Sequence, residues 1–226
     1  MPSFYIVATP IGNLEDITLR ALRILGEVDL ILCEDTRVTR KLLDRYQIKT
    51  AVESFHSHSK KPKVEKILSL LEAGKNLAYV VDAGTPGISD PGAALVARIR
   101  NELPEVKIVP VPGPSALTAA LSVSGIPADE FVFFGFLPHK KGRQTKLKEI
   151  AALEKTVVLY ESPHRVLKLL EKLAAVLEPG RKIVVARELT KIYEEVKIDT
   201  AVELLEYYKN NPDRVRGEFV VIIAPQ

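Results

Sequence analysis

Cysteine is nearly missing from this sequence: Cys33 stands alone. No disulfide can form within the chain, and no Cys-based metal site is suggested. Long apolar runs are missing too, and none reaches the length needed to cross a bilayer. The first residues, 1–7, carry no basic stretch and no small-residue cleavage site. They read as a first strand rather than a signal peptide. Charge of one sign is scarce: 32 Lys and Arg against 29 Asp and Glu leave a formal net charge of only +3. That balance does not by itself mark a nucleic-acid binder. His56 and His58 have a spacing that a metal could use, but no further Cys or His cluster joins them, so surface histidines and no metal are expected. A cytoplasmic protein without membrane partners is the simplest inference.

What is present is a chain of 226 residues, 46% hydrophobic and 27% charged, enough for one large domain or two modest ones. The cations are clustered. Arg37, Arg40, Lys41, Arg45 and Lys49 crowd one stretch, and Lys60, Lys61, Lys63 and Lys66 the next. His139, Lys140, Lys141 and Arg143, followed by Lys146 and Lys148, form a third cluster. Such clusters suit either a phosphate backbone or ordinary solvated helix faces.

The first half alternates β-rich runs (5–8, 30–33, 77–81, 107–109) with helical patterns (17–25, 36–46, 64–73, 93–103). Asp16 is placed to cap the first helix and Gly26 to stop it. This alternation predicts an open, mostly parallel sheet covered by helices. The stretch 110–114, with three prolines and a glycine, can continue neither a helix nor a central strand. A boundary is therefore expected there, between domains 1–112 and 113–226. The second half reads as helix 115–124, strand 131–136, helix 145–153, strand 157–160, helix 165–177, strands 182–186 and 193–198, helix 202–208 and strand 218–223. Its closely spaced later strands predict a mixed sheet.

Ligands bind at the carboxyl ends of strands in open α/β sheets. The segment 8–13 follows the first strand, and either a ligand-approaching loop or a plain strand-to-helix turn fits it. The segment 82–92 packs three glycines, two prolines and two aspartates into eleven residues. It lacks the Lys and Ser/Thr of a P-loop, so a triphosphate cradle is not expected; its amides and carbonyls suit the polar part of a small cofactor. In 160–165, Ser162 is placed as a helix cap with Pro163 in the first turn. Glu161, His164 and Arg165 would then gather at a helix start as acid–base candidates or as surface charges. The charges of 186–191 need partners or water, and a structural Arg–Glu pair is one reading. Asp35 either caps the next helix or, with Glu34 and Arg37, activates a hydroxyl.

Strings 7–16, 34–37, 82–92, 112–116, 135–138, 160–165, 186–191 and 217–218 occur in that order. Together they closely resemble the ribosomal RNA small-subunit methyltransferase I family, within the wider tetrapyrrole methylase superfamily. The resemblance covers essentially the whole chain. It implies two α/β domains with the cofactor cleft between them, a homodimer, and S-adenosyl-L-methionine as cofactor. The implied reaction is methyl transfer to the ribose 2′-oxygen of a cytidine in the decoding region of 16S rRNA within the small ribosomal subunit. By motif, the implied cofactor contacts are Thr9, Pro10, Gly84, Thr85, Gly87, Ile88, Ser115, Ala116, Tyr160, Leu189, Gly217 and Glu218, largely through backbone. Members usually continue some tens of residues past 217–223, whereas this sequence ends at Gln226; if that extension grips RNA, weaker RNA binding is implied. Val81 stands where many members have Ser, with little expected effect.

A ribose hydroxyl is a poor nucleophile, so a base would help. The base candidates are Glu34, Asp35, Glu161 and Glu188, unranked. Arg37, Lys140, Lys141, Arg143, His164 and Arg165 are the expected RNA contacts. Two competing readings share the sequence: a methyltransferase of a tetrapyrrole or other small molecule with the same fold, and a noncatalytic RNA- or nucleotide-binding module.

Overall fold

The computed structural model describes residues 1–56 and 61–226. His58 and Lys60, named above, lie outside the described residues. The chain forms two compact units, Met1–Ser115 and Ala116–Gln226. The division falls three residues later than the prolines suggested. The reason is local: Thr85 Oγ1 donates to Pro114 O at 3.0 Å, and Gly113 comes so close to Ala8 that a Cβ there would lie 3.0 Å from the Ala8 Cβ. The proline segment is thus tied into the first unit.

The first unit contains β1 (Ser3–Val7), α1 (Leu19–Glu27), β2 (Leu30–Cys33), α2 (Thr36–Arg45), β3 (Val52–Ser54), α3 (Lys61–Glu72), β4 (Leu77–Tyr79), α4 (Gly92–Glu102) and β5 (Lys107–Val111). Its five strands are all parallel, in the order β3-β2-β4-β1-β5. Alternate residues feed opposite faces, as the pleat demands. Phe4, Leu32, Leu77 and Tyr79 pack with Ile67 and Leu71 of α3 and Leu95 and Ile99 of α4. Val7, Ile31, Cys33 and Ala78 pack with Leu25 of α1 and Leu43 of α2. Each such fully buried aliphatic side chain contributes about 1.5–3 kcal/mol. The strand β5 runs through Pro110, against expectation. It is the edge strand beside β1, so it needs backbone donors on one side only.

The start of α1 also differs. Asp16 sits in a short 3-10 turn, and Thr18 caps the helix, its side chain accepting from Ala21 N. Gly26 lies inside α1 rather than after it. Asp35 caps α2 as its position suggests, accepting from Arg37 N at 2.8 Å.

The second unit contains α5 (Ala116–Ser124), β6 (Phe131–Phe136), α6 (Arg143–Ala151), β7 (Thr156–Glu161), α7 (Val166–Ala174), β8 (Lys182–Arg187), β9 (Glu195–Thr200), α8 (Ala201–Asn210) and β10 (Phe219–Ile223). The sheet order is β6-β7-β10-β8-β9. Only β6 and β7 are parallel, and the remaining pairs are antiparallel, so the sheet is mixed, as expected. Val157, Leu159, Val185 and Val221 pack against Leu169 and Leu173 of α7 and Leu204 of α8. A Thr200–Glu203 capping box starts α8. By contrast Ser162 does not cap α7. A turn closes first, through Arg165 N to Ser162 O, and Arg165 takes the cap position without a side-chain cap bond. No helix among the described residues is long and apolar enough to cross a membrane.

Candidate active site

In the first unit, the chain segments leaving β1, β2, β4 and β5 gather at the carboxyl edge of the sheet, the usual ligand edge of such a fold. Thr9 and Gly84 form a two-way backbone bridge, each N–H donating to the other's carbonyl at 3.0 Å. Buried Thr9 also donates its hydroxyl to Val81 O at 3.0 Å. These two expected cofactor residues therefore bond to each other, and pin the turn after β1 to the glycine-rich loop. Gly84, at φ +86°, holds the left-handed conformation this bridge uses.

Asp90 shapes the rest of that loop. It accepts from Gly87 N at 2.5 Å and from Gly92 N at 2.7 Å. Tyr79 donates its hydroxyl to the same carboxylate at 3.3 Å. Gly92 must be glycine here, because a Cβ would meet the Tyr79 ring at 2.5 Å. Gly87 and Ile88 are exposed at the loop tip, and Pro10 is buried beneath.

The acidic pair after β2 divides into two chemistries. Asp35 is held by the Arg37 side chain at 2.6 Å and the Arg37 backbone N–H, which push its carboxyl down to about 2. A carboxylate so well satisfied is a weak proton acceptor. Glu34 is half-buried, and its carboxyl is pushed up, first by burial and then by the charges of Asp82 and Asp90. Asp82 in turn accepts from Asp35 N at 3.0 Å. Negative potential therefore converges around Glu34.

In the second unit, Glu161 is buried at the end of β7 and fully committed. It meets Arg143 Nη2 at 3.1 Å, Arg165 Nε at 3.0 Å and Ser162 N at 2.9 Å. Arg165 also donates to Leu137 O at 2.6 Å and lies 3.3 Å from His139 Nε2, while Arg143 reaches Pro138 O at 3.3 Å. Arg143 is the buried first residue of α6 and neutralises Glu161. Together Arg143, Glu161 and Arg165 clamp the loop 137–142. Lys140, Lys141 and His164 are exposed, with no ion pair among the described residues.

The end of β8 holds a second polar knot. Glu188, at φ +51°, accepts from Lys191 Nζ at 2.7 Å and Glu218 N at 3.1 Å. Lys191 also binds the Glu218 carboxylate at 2.9 Å. Burial works to raise the Glu188 carboxyl, but these donors outweigh it, and the group ends below its ordinary value. Leu189 is buried beside it, and Thr190 sits at φ +66°. Non-glycine residues at positive φ concentrate at functional sites. Ser115 closes the first unit and Ala116 opens α5. Tyr160, half-buried on β7, packs edge-on against Phe133 and Phe136 at centroid distances of 4.9 and 5.7 Å. Burial pushes its phenol up.

The Arg143–Glu161 clamp and the Lys191 bridge were not visible in the sequence as partnerships. Asp90 carried a signal: Asp-Pro-Gly directly before a helix is a side-chain-closed turn.

Comparison with known proteins gives a consistent answer. The tetrapyrrole (corrin/porphyrin) methylase profile matches residues 3–205. The ribosomal RNA small subunit methyltransferase I of Escherichia coli O157:H7 is 48% identical over 97% of this chain and 76% of its own length. The protein of the same name from Vibrio cholerae is 47% identical over 98% of this chain and 77% of its own. The one from Thermotoga maritima is 45% identical over 99% of both chains. Among solved structures, a cobalt precorrin-4 methyltransferase superimposes with a TM-score of 0.72 at 19% identity, covering 98% of this chain and 94% of that one. The methyltransferase CobJ gives 0.72 at 20%, covering 100% and 95%. At such identities these two speak for the fold alone. The chain belongs to the tetrapyrrole (corrin/porphyrin) methylase family and, within it, to the ribosomal RNA small subunit methyltransferase I group.

Proposed function

We propose that this protein is an S-adenosylmethionine-dependent methyltransferase of small-subunit ribosomal RNA that methylates the ribose 2′-oxygen of a cytidine in the decoding region of 16S rRNA. The observation that carries this reading is the 45–48% identity, over 97–99% of the chain, to proteins named for ribosomal RNA small subunit methylation. The small-molecule methyltransferases share the fold at far lower identity, which does not carry a substrate. The same reading makes the protein a cytoplasmic homodimer.

S-adenosylmethionine, when bound, supplies a methyl group on a sulfonium centre that a nucleophile displaces. The carboxyl edge of the first unit fits such a cation. Asp82 and Asp90 stand with Glu34 there, and the Glu34 carboxyl is pushed up first by burial and then by their two charges. The residues proposed to hold the cofactor are Thr9, Pro10, Gly84, Thr85, Gly87, Ile88 and Ser115 in the first unit, and Ala116, Tyr160, Leu189, Gly217 and Glu218 in the second. With Thr9 and Gly84 bonded to each other, their part is to hold the loop rather than to donate.

Four carboxylates were candidates for the base, and their surroundings rank them. Glu161 is locked by two guanidiniums, Asp35 by Arg37, and Glu188 by Lys191 and Glu218 N. Glu34 is shifted toward holding a proton, and no cation is paired with it among the described residues. It is therefore the proposed base for the 2′-hydroxyl, with positioning supplying much of the remaining rate. RNA contacts are assigned to Lys140, Lys141, His164 and Arg37.

The test is transfer of a labelled methyl group from S-adenosylmethionine to small ribosomal subunits, with naked rRNA and a tetrapyrrole run alongside. Transfer to the subunits supports the reading. Transfer to the tetrapyrrole alone, or cofactor binding with no transfer to RNA, contradicts it.

A further inference from the structure

Between the turn after β1 and the first turns of α2 lies a concavity of about 230 Å³. Its walls include Pro10, Leu14, Val38 and Leu42, with Asp82 and Lys41 among the lining polar residues. Leu14 and Val38 are 39% and 40% exposed, so apolar surface stays open at the very edge where Glu34 is placed. We propose that this concavity receives one unpaired nucleobase of the RNA substrate; the inference rests on the RNA reading above.

The size decides against a whole cofactor. Pockets that enclose drug-sized ligands begin at roughly 300 Å³, and this one is smaller. The lining decides the same way. Of the residues proposed for the cofactor only Thr9 and Pro10 touch the concavity; Gly84, Thr85, Gly87 and Ile88 do not. Gly84 is bonded to Thr9 through its backbone, and Thr85 donates its hydroxyl to Pro114 O.

The chemistry decides for a base. A nucleobase has flat apolar faces and a polar edge, which matches apolar walls with Thr9, Thr39, Lys41 and Asp82 as the polar part of the lining. Sequence-selective RNA recognition targets unpaired bases whose faces are packed and whose edges are hydrogen-bonded. The charge around the concavity also fits. Arg40 and Lys41 on α2 are exposed and form no ion pair with any described residue, so they are available to the phosphates flanking the base. Asp82 would accept from an exocyclic amino group on the base edge.

The test compares Leu14→Ser, Val38→Ser and Lys41→Gln with the unaltered protein. Both apolar positions are partly exposed, so the fold should survive, which melting curves check. The readouts are KM and kcat for small ribosomal subunits, the salt dependence of subunit binding, and S-adenosylmethionine affinity by calorimetry without RNA. Loss of one stacked base predicts a KM raised about tenfold for the two serine variants, with cofactor affinity held within about twofold. Their salt slope should not change, whereas Lys41→Gln should reduce it by about one. Unchanged KM in both serine variants overturns the proposal. So does a parallel loss of cofactor affinity, which would give the concavity to the cofactor. Failure of the unaltered protein to methylate any RNA would instead overturn the functional reading, and this inference with it.

Discussion

The Glu188 side chain lies directly over Gly217: a Cβ built on Gly217 would clash with the Glu188 carboxyl group and its Cγ. Gly217 also holds φ +83°, so it is glycine for two reasons. Gly217→Ala should lose about 1–2 kcal/mol from the backbone alone. It should also push Glu188 out of its bonds to Lys191 and Glu218. Differential scanning calorimetry should show a melting point lowered by several degrees, and titration should show weaker S-adenosylmethionine binding. Unaltered cofactor affinity would separate this knot from the site.

Arg143→Ala should behave as a stability variant. It leaves the buried Glu161 carboxylate short of one guanidinium, a loss of about 3–5 kcal/mol for a broken buried pair. Urea unfolding measures it. Glu161→Gln should destabilise as well, because Arg143 and Arg165 then face each other without a counter-charge.

Lys140→Ala and Lys141→Ala should leave stability within about 0.5 kcal/mol. Each should lower the salt slope of RNA binding by about one. A filter-binding series across salt concentrations checks this. An unchanged slope in the double variant would remove this loop from the RNA surface.

Glu34 gives a split between activity and stability. Its carboxyl is raised in the folded state, so the folded protein holds that proton more tightly than the unfolded chain does. The folded state is therefore penalised as pH rises above the ordinary carboxylate range, and the penalty vanishes as pH falls below it. Glu34→Gln should melt higher than the unaltered protein at neutral pH, with the difference closing in acid. The same variant should lose about 10²–10⁴ in kcat. In the unaltered protein kcat should fall with acid as Glu34 takes up its proton. Asp35 runs the opposite way. Held down to about 2 by Arg37, it stabilises the fold above the ordinary carboxylate range and loses that contribution as pH falls toward 2.

Features encoded locally were legible before the structure. The loop 82–92 announced itself because positive φ at Gly84 and Gly87 favours glycine, and the tight fit of Gly92 on Tyr79 leaves no room for a side chain. The parallel sheet followed from apolar runs alternating with helical stripes, and Asp35 as a cap from its place before α2. What depended on distant partners was not legible. Thr18 rather than Asp16 caps α1 because a 3-10 turn intervenes. Pro110 fits a strand only because β5 is an edge, and three-residue β3 has no apolar run to betray it. Arg143 looked like one more surface cation until the fold set it against Glu161, 18 residues away. The ranking of Glu34 over the other acids likewise needed the positions of Asp82 and Asp90.

The most direct test is to incubate small ribosomal subunits, taken from cells lacking this activity, with the protein and S-adenosylmethionine, and then to map 2′-O-methylation along 16S rRNA by resistance to alkaline cleavage. One new resistant linkage is expected, at a cytidine of the decoding region, absent when Glu34→Gln replaces the unaltered protein. Methyl groups found only on base atoms, or no methylation with cofactor bound, would contradict that expectation.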